Sequence, residues 1–244
     1  MAYYFISDLH LSDNEPHLLE LFEYFLTNVL KQNDTLYILG DLFEYWIGED
    51  KHSKAIKQVK TLLLNLKKRH IQWFFLAGNR DFLLGKKFLQ DTYGTLLPEK
   101  QVITLDQYRI LLLHGDTLCS YDVSYQAFRR TVKQKWLQLL FLSLPFFIRK
   151  KIVARMRDKS TAQGKMLDKK IMDVAEQTVA EDLEKFQTEI MIHGHVHRPG
   201  VHAYWHAKNQ QWQWRHVLAD WDEKANYLCY NQGHFTLHYL SLPH

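Results

Sequence analysis

The chain has 244 residues, enough to bury a full core in one domain with or without an insertion. Hydrophobic residues make up 46% of it, which argues against both disorder and a multi-span membrane protein. Lys and Arg number 31 against 27 Asp and Glu, and the resulting +4 is too small to imply nucleic-acid binding by itself, although it suits an anionic substrate or an acidic membrane surface.

The first half alternates short β-rich runs with helical patterns. Tyr3–Ile6, Thr35–Leu39, Gln72–Leu76 and Arg109–Leu113 read as buried strands. Leu18, Leu21, Phe22, Phe25, Leu26 and Val29 mark one face of a helix, and Ile56, Val59, Leu63 and Leu66 mark a second. Such alternation implies an α/β sheet covered by helices. From about Thr117 to Lys170 the rhythm breaks into a mostly helical insertion. A further helical stripe follows through Ile171, Ala175, Val179, Leu183 and Phe186, then a strand at Glu189–Ile192. The last fifty residues alternate like antiparallel strands, as in Trp212–Leu218 and Tyr227–Tyr230. The expected organisation is one catalytic domain over 1–244 with a helical cap over about 117–170.

Cys119 and Cys229 match no disulfide or CxxC pattern, and no signal peptide precedes Asp8, so a reducing, cytoplasmic setting is expected. Fourteen histidines make metal ligation worth testing.

Five strand-like runs end in polar signatures: Asp8-Leu9-His10, Gly40-Asp41, Gly78-Asn79-Arg80-Asp81, His114-Gly115-Asp116 and His193-Gly194-His195-Val196-His197. The carboxyl ends of strands in an α/β sheet share one edge, where ligands bind, so signatures remote in sequence should converge there. Carboxylate, amide oxygen and imidazole without thiolate favour hard or borderline divalent ions. Asp8, His10, Asp41, Asn79, His114, His195 and His197 suffice for two ions if one carboxylate bridges, and Asp41, in the middle of the series, is the expected bridge. Two ions roughly 3.5–4 Å apart clamp a phosphoryl group and generate hydroxide at neutral pH. His202, His206, His216, His234 and His238 on the terminal strands are read as surface or core residues, and Trp46, Phe82 and Phe128 as core aromatics.

In order and spacing these signatures resemble the calcineurin-like metallophosphoesterase superfamily. That resemblance implies a four-layer α/β–β/α sandwich. It also implies one ion on Asp8, His10, Asp41 and His197 and another on Asp41, Asn79, His114 and His195. The residues around them (Gly40-Asp41-Leu42-Phe43-Glu44-Tyr45-Trp46-Ile47-Gly48, Gly78-Asn79-Arg80-Asp81-Phe82-Leu83-Leu84-Gly85, His114-Gly115-Asp116-Thr117-Leu118-Cys119 and Gly194-His195-Val196-His197-Arg198-Pro199) resemble the UDP-2,3-diacylglucosamine pyrophosphatase family of lipid A biosynthesis.

The narrower resemblance implies two Mn²⁺ ions and attack of a metal-bound hydroxide on the phosphorus nearer the uridine, giving UMP and 2,3-diacylglucosamine 1-phosphate. Arg80, where most of the superfamily carries His, would stabilise charge in the transition state, with Asp41 and His195 in the catalytic set. Asn79, Arg80, Asp122, Tyr125, Arg157, Ser160 and His195 would surround the substrate. Gly164 and Leu167 depart from the family pattern, and Lys165 is a neighbouring cation.

The apolar stretch Trp136–Ile148, flanked by Lys133, Lys135, Arg149, Lys150 and Lys151, is shorter than the roughly 20 residues of a spanning helix. From the residues alone it suits either a helix hairpin packed on its own domain or an interfacial helix pair on anionic lipid, and the family resemblance favours the second, implying a peripheral place on the cytoplasmic face of the inner membrane. The expected partner is therefore a UDP-lipid and a membrane surface rather than nucleic acid. A relative acting on a soluble nucleotide or nucleic acid, and a non-catalytic module keeping the scaffold, are the competing readings.

Overall fold

A computed structural model describes residues 1–50, 53–164, 173–207 and 210–242, with side chains described outside 157–164. The chain order is β1 (Tyr3–Ile6), α1 (Pro16–Tyr24, continued by a wider π-helical turn over Phe25–Val29), β2 (Thr35–Ile38), α2 (Lys54–Lys68), β3 (Gln72–Phe75), α3 (Lys86–Asp91), β4 (Thr95–Leu96), β5 (Lys100–Leu105) and β6 (Tyr108–Leu113). A short 3₁₀ turn at Asp116–Leu118 then leads to α4 (Val123–Val132), α5 (Lys135–Ser143), α6 (Phe146–Gly164), α7 (Glu176–Phe186), β7 (Ile190–His193), β8 (Gly200–His206), β9 (Gln211–Val217), β10 (Ala225–Asn231) and β11 (His234–Leu240).

The strands form two sheets, ordered β11-β10-β1-β2-β3-β4 and β5-β6-β7-β9-β8. β1 to β4 run parallel, as do β6, β7 and β9; β10, β11, β5 and β8 pair antiparallel.

Side-chain alternation assembles the layers. In β1, Tyr4 and Ile6 enter an outer core with Leu18, Phe22, Val59 and Leu63 of α1 and α2, while Phe5 enters an inner core between the sheets. In β6, Ile110 and Leu112 reach that inner core, and Leu111 and Leu113 pack with Val179 and Leu183 of α7. The sequence of layers is thus helix, sheet, sheet, helix, the expected four-layer α/β sandwich. Each fully buried large side chain contributes about 1.5–3 kcal/mol, so Phe5, Phe22, Phe25 and Phe75, all essentially inaccessible to solvent, anchor the first sheet.

α2 follows its apolar spacing closely. Ala55, Val59, Leu62, Leu63 and Leu66 are buried, and Ser53 caps the start, its hydroxyl accepting from the Ile56 N–H at 3.1 Å. The expected helix through Ile171 and Ala175 begins instead at Glu176; Ile171 lies outside the described residues. Trp46 is buried as a core aromatic, but Phe128 is 46% exposed, because none of the residues of α4 and α5 is buried. That helical run extends from the end of β6 with its apolar side chains facing solvent, whereas those of α1, α2 and α7 face a sheet.

Candidate metal centre

All five signatures follow parallel strands, three in one sheet (β1, β2, β3) and two in the other (β6, β7). The expected single sheet edge is therefore built from two sheets packed face to face, which bring their carboxyl ends to one place. The loops are interlocked by backbone bonds. Asp8 N–H donates to the Gly40 carbonyl at 3.1 Å, His10 N–H to the Asp41 carbonyl at 3.0 Å, and Gly194 N–H to the His114 carbonyl at 2.8 Å.

Two groups of donors result. Asp8, His10 and His197 form one and Asp8, Asp41 and His114 the other, each with its ligand atoms within 4.8 Å of one another. Asp8 belongs to both, and Asp41, the expected bridge, belongs to the second. Asn79 and His195 border the second group, since the Asn79 amide oxygen lies 2.8 Å from His114 Nε2 and 3.0 Å from His195 Nδ1. The seven residues singled out from the sequence thus come together.

The backbone around them is unusual. Asp8, His10, Asp41, His195 and His197 all carry φ between 50° and 70°. This left-handed region costs L-residues roughly 1–2 kcal/mol each, and non-glycine residues held there cluster at functional sites. Two glycines make room for the carboxylates. A Cβ on Gly78 would sit 2.1 Å from Asp41 Oδ1, and one on Gly194 would sit 2.0 Å from Asp8 Oδ2.

Second partners fix how the ligands point. His114 Nδ1 lies 2.9 Å from the Leu39 carbonyl, which holds the proton there and turns Nε2 inward. His197 Nδ1 lies 3.1 Å from Asp220, with Nε2 turned to Asp8 at 3.3 Å. Burial lowers the proton affinity of His197, but its hydrogen bonds to Asp220 and Asp8 overcome this and raise its pKa to about 10. Burial likewise pushes Asp8 up, yet His197 and the charge of His114 hold its carboxyl well below the usual range. Asp41, 2% exposed, is pushed up by burial despite the charge of His114, and Asp81 and Asp8 add to the rise.

The donor set fits divalent cations. Two buried carboxylates face imidazole nitrogens, and both ring nitrogens of His10 are buried without a hydrogen bond, the nearest charge being Glu44 at 3.4 Å from Nδ1. An ion would occupy one of those nitrogens.

Arg80 lies at the edge of this centre. Its N–H donates to Asp41 Oδ1 at 2.8 Å, and its guanidinium meets Glu44 at 2.8 Å and Asp41 at 3.6 Å. Asp81, the residue nearest to it in sequence, serves the backbone instead, accepting from Gly78, Asp41 and Leu42 at 2.9, 3.2 and 2.7 Å. Tyr125 stacks on His195 with ring centroids 6.1 Å apart, and its hydroxyl donates to Asp116 at 3.1 Å. Asp122 caps α4, accepting from the Tyr125 N–H at 2.8 Å. Arg157 and Ser160 fall in α6, but their side chains, like Lys165 and Leu167, lie outside the described residues. Glu44, Asp116 and Asp220 support this centre without having been picked out as site residues; Glu44 and Asp116 stand inside motifs the sequence displays, and Asp220 stands in none.

The sequence model of the calcineurin-like phosphoesterases matches residues 1–199, and the chain belongs to that class. Within it, the chain belongs to the family of the UDP-2,3-diacylglucosamine hydrolases. The protein of that name from Haemophilus influenzae (strain PittGG) is 47% identical over 92% of this chain and 91% of its own length. The one from Escherichia coli O7:K1 is 46% identical over 93% of each. Among solved structures, a novel archaeal phosphodiesterase superposes with a TM-score of 0.49 at 12% identity, over 98% of this chain and 100% of that one.

Proposed function

We propose that this protein hydrolyses the pyrophosphate of UDP-2,3-diacylglucosamine, giving UMP and 2,3-diacylglucosamine 1-phosphate in lipid A biosynthesis. Water adds to the phosphorus nearer the uridine, and the bond from that phosphorus to the bridging oxygen breaks. The bridging oxygen leaves with the lipid sugar phosphate. The observation that carries this reading is the meeting of seven donors from five strand ends around two buried carboxylates, in a chain whose relatives bear the name of that hydrolase.

Two Mn²⁺ ions are the proposed cofactors, one on Asp8, His10, Asp41 and His197 and one on Asp41, Asn79, His114 and His195. Bound divalent ions supply Lewis acidity at the phosphoryl oxygens and water activation near neutral pH. The remaining work falls to the chain. Arg80, with 36% of its side chain exposed, is placed to pair with phosphate oxygens as charge builds. A guanidinium stays protonated throughout and so cannot act as a general acid near neutral pH. His195, which burial and the nearby His114 charge bring down to about 4, is neutral at pH 7 and can accept or coordinate. Asn79, Asp122, Tyr125, Arg157 and Ser160 complete the proposed substrate contacts.

The lipid end is assigned to the helical segment after β6. Trp136, Leu139, Leu140 and Phe147 are all more than half exposed on α5 and α6, with exposed Lys135, Lys150 and Lys151 next to them in sequence. Among the described residues no helix is long and apolar enough to cross a membrane. Exposed apolar side chains flanked in sequence by lysines suit peripheral attachment to anionic lipid on the cytoplasmic face of the inner membrane. Cations clustered in this way favour lipid over a nucleic acid, which calls for a basic groove.

The test is incubation of the Mn²⁺-loaded full chain with the UDP-lipid. Stoichiometric release of UMP is expected. Turnover of soluble nucleotides or single-stranded nucleic acid with no UMP from the lipid would replace this reading by that of a different phosphoesterase.

A further inference from the structure

Beside the metal centre, the surface folds into a polar recess with a cavity volume of about 340 Å³. Four carboxylates, those of Glu15, Glu44, Asp220 and Asp222, line it together with His10, Asn14 and His17. The recess is continuous with the first donor group, because His10 is one of its members and Asp220 holds His197. The second donor group borders His195, on which Tyr125 of α4 stacks, and the chain runs on from α4 to the exposed apolar side chains of α5 and α6. The centre therefore has two unlike neighbours, a polar recess and a helical run with exposed hydrophobics.

We infer that this recess receives the nucleoside end of the substrate, by recognising a ribose diol and a pyrimidine imide. The inference rests on the reaction proposed above. A sugar–nucleotide pyrophosphate has two unlike ends diverging from the reacting phosphorus. The lipid end matches the exposed hydrophobics of the helical run, which leaves the polar recess for the nucleoside.

The chemistry of the wall selects the same occupant. Asp220 and Asp222 repel further phosphate oxygens but accept hydrogen bonds from hydroxyl and imide N–H donors. The Asn14 amide can donate to a pyrimidine carbonyl and accept from its N–H, as complementary edges require. The His17 ring, with 44% of the side chain exposed, offers a flat face on which a base stacks. The volume falls at the small end of the roughly 300–1,000 Å³ range of ligand sites, as one nucleoside needs. An acyl chain would strand these polar groups without partners.

The experiment compares the Mn²⁺-loaded full chain with its Asn14→Ala/His17→Ala double variant, two changes near the surface that leave the proposed ligands in place. Binding of UMP and of inorganic phosphate is measured by calorimetry, and inhibition of turnover by each product is measured alongside. Loss of a stacking face and an amide contact is expected to weaken UMP binding about tenfold, roughly 1.4 kcal/mol. Phosphate affinity and inhibition by the lipid sugar phosphate should be unchanged. Equal UMP affinity in the two proteins, no UMP binding by the wild type, or parallel losses for UMP and phosphate would each overturn the inference. Whether the wild type releases UMP from the UDP-lipid is scored separately. Its failure would defeat the proposed reaction, while the UMP affinities would still decide what the recess binds.

Discussion

At the scale of single residues, the centre is a set of strained positions held by hydrogen bonds from outside it. His197 is the clearest case. When protonated its Nδ1–H donates to Asp220 and its Nε2–H to Asp8, and its pKa is raised from an ordinary 6.5 to about 10. A histidine that binds its proton more tightly folded than unfolded stabilises the fold fully below pH 6.5, and that contribution fades as pH rises toward 10. The metal-free chain, prepared with chelator, should therefore lose thermal stability between pH 6.5 and 10, and Asp220→Asn should flatten that slope. Parallel profiles for the two proteins would show that Asp220 does not hold the proton. The ligands themselves were legible in sequence because strand-end geometry places a short polar signature after an apolar run. Asp220 was not, because a residue that orients a ligand needs no spacing relative to it and lies after β9, far along the chain. Arg80 was legible as a charged neighbour, but its partners are Glu44 and Asp41 rather than Asp81, whose carboxylate is consumed by three backbone N–H groups.

At the scale of elements, what matters is how α4 is fastened to the centre. Asp116 is 3% exposed and its carboxylate accepts from Tyr125 and from Arg129 Nε, the latter at 2.5 Å. Arg129 and Lys133 both reach Glu99, so one ion network ties α4 to the loop after β6 and to the start of β5. Removing the cation leaves a buried carboxylate uncompensated, which costs roughly 3–5 kcal/mol for well-buried pairs. Arg129→Met should thus speed amide hydrogen exchange in α4 on the order of a hundredfold, while β1 and β2 keep their protection. Exchange in α4 that matches the wild type would mean that the network does not hold the helix. The strands before the ligands were legible because each is a short, mostly apolar run. β4, β5 and α3 were not, for β4 is only two residues long and β5 is a partly exposed edge strand, while β8 and β11 fell within the expected antiparallel run of the last fifty residues without bounds of their own. The helical character of the segment after His114-Gly115-Asp116 was visible in its pattern, but not the exposure of its apolar side chains, which periodicity alone cannot distinguish from burial.

At the scale of the whole molecule, the donor cluster adjoins a polar recess through His10 and Asp220 and the helices after β6 through Tyr125. Replacing Trp136, Leu139, Leu140 and Phe147 together by serine should abolish sedimentation with anionic phospholipid vesicles and raise the Michaelis constant for the long-chain substrate. Unchanged values for both would confine those side chains to some other contact. All of this depends on a pair of cations seated where the two sheets meet. The most direct test is electron paramagnetic resonance of the full chain titrated with Mn²⁺. A spin-coupled spectrum saturating near two ions per chain, and lost in Asp41→Asn, is the predicted result. An uncoupled signal from a single ion, or coupling that survives Asp41→Asn, would contradict the account.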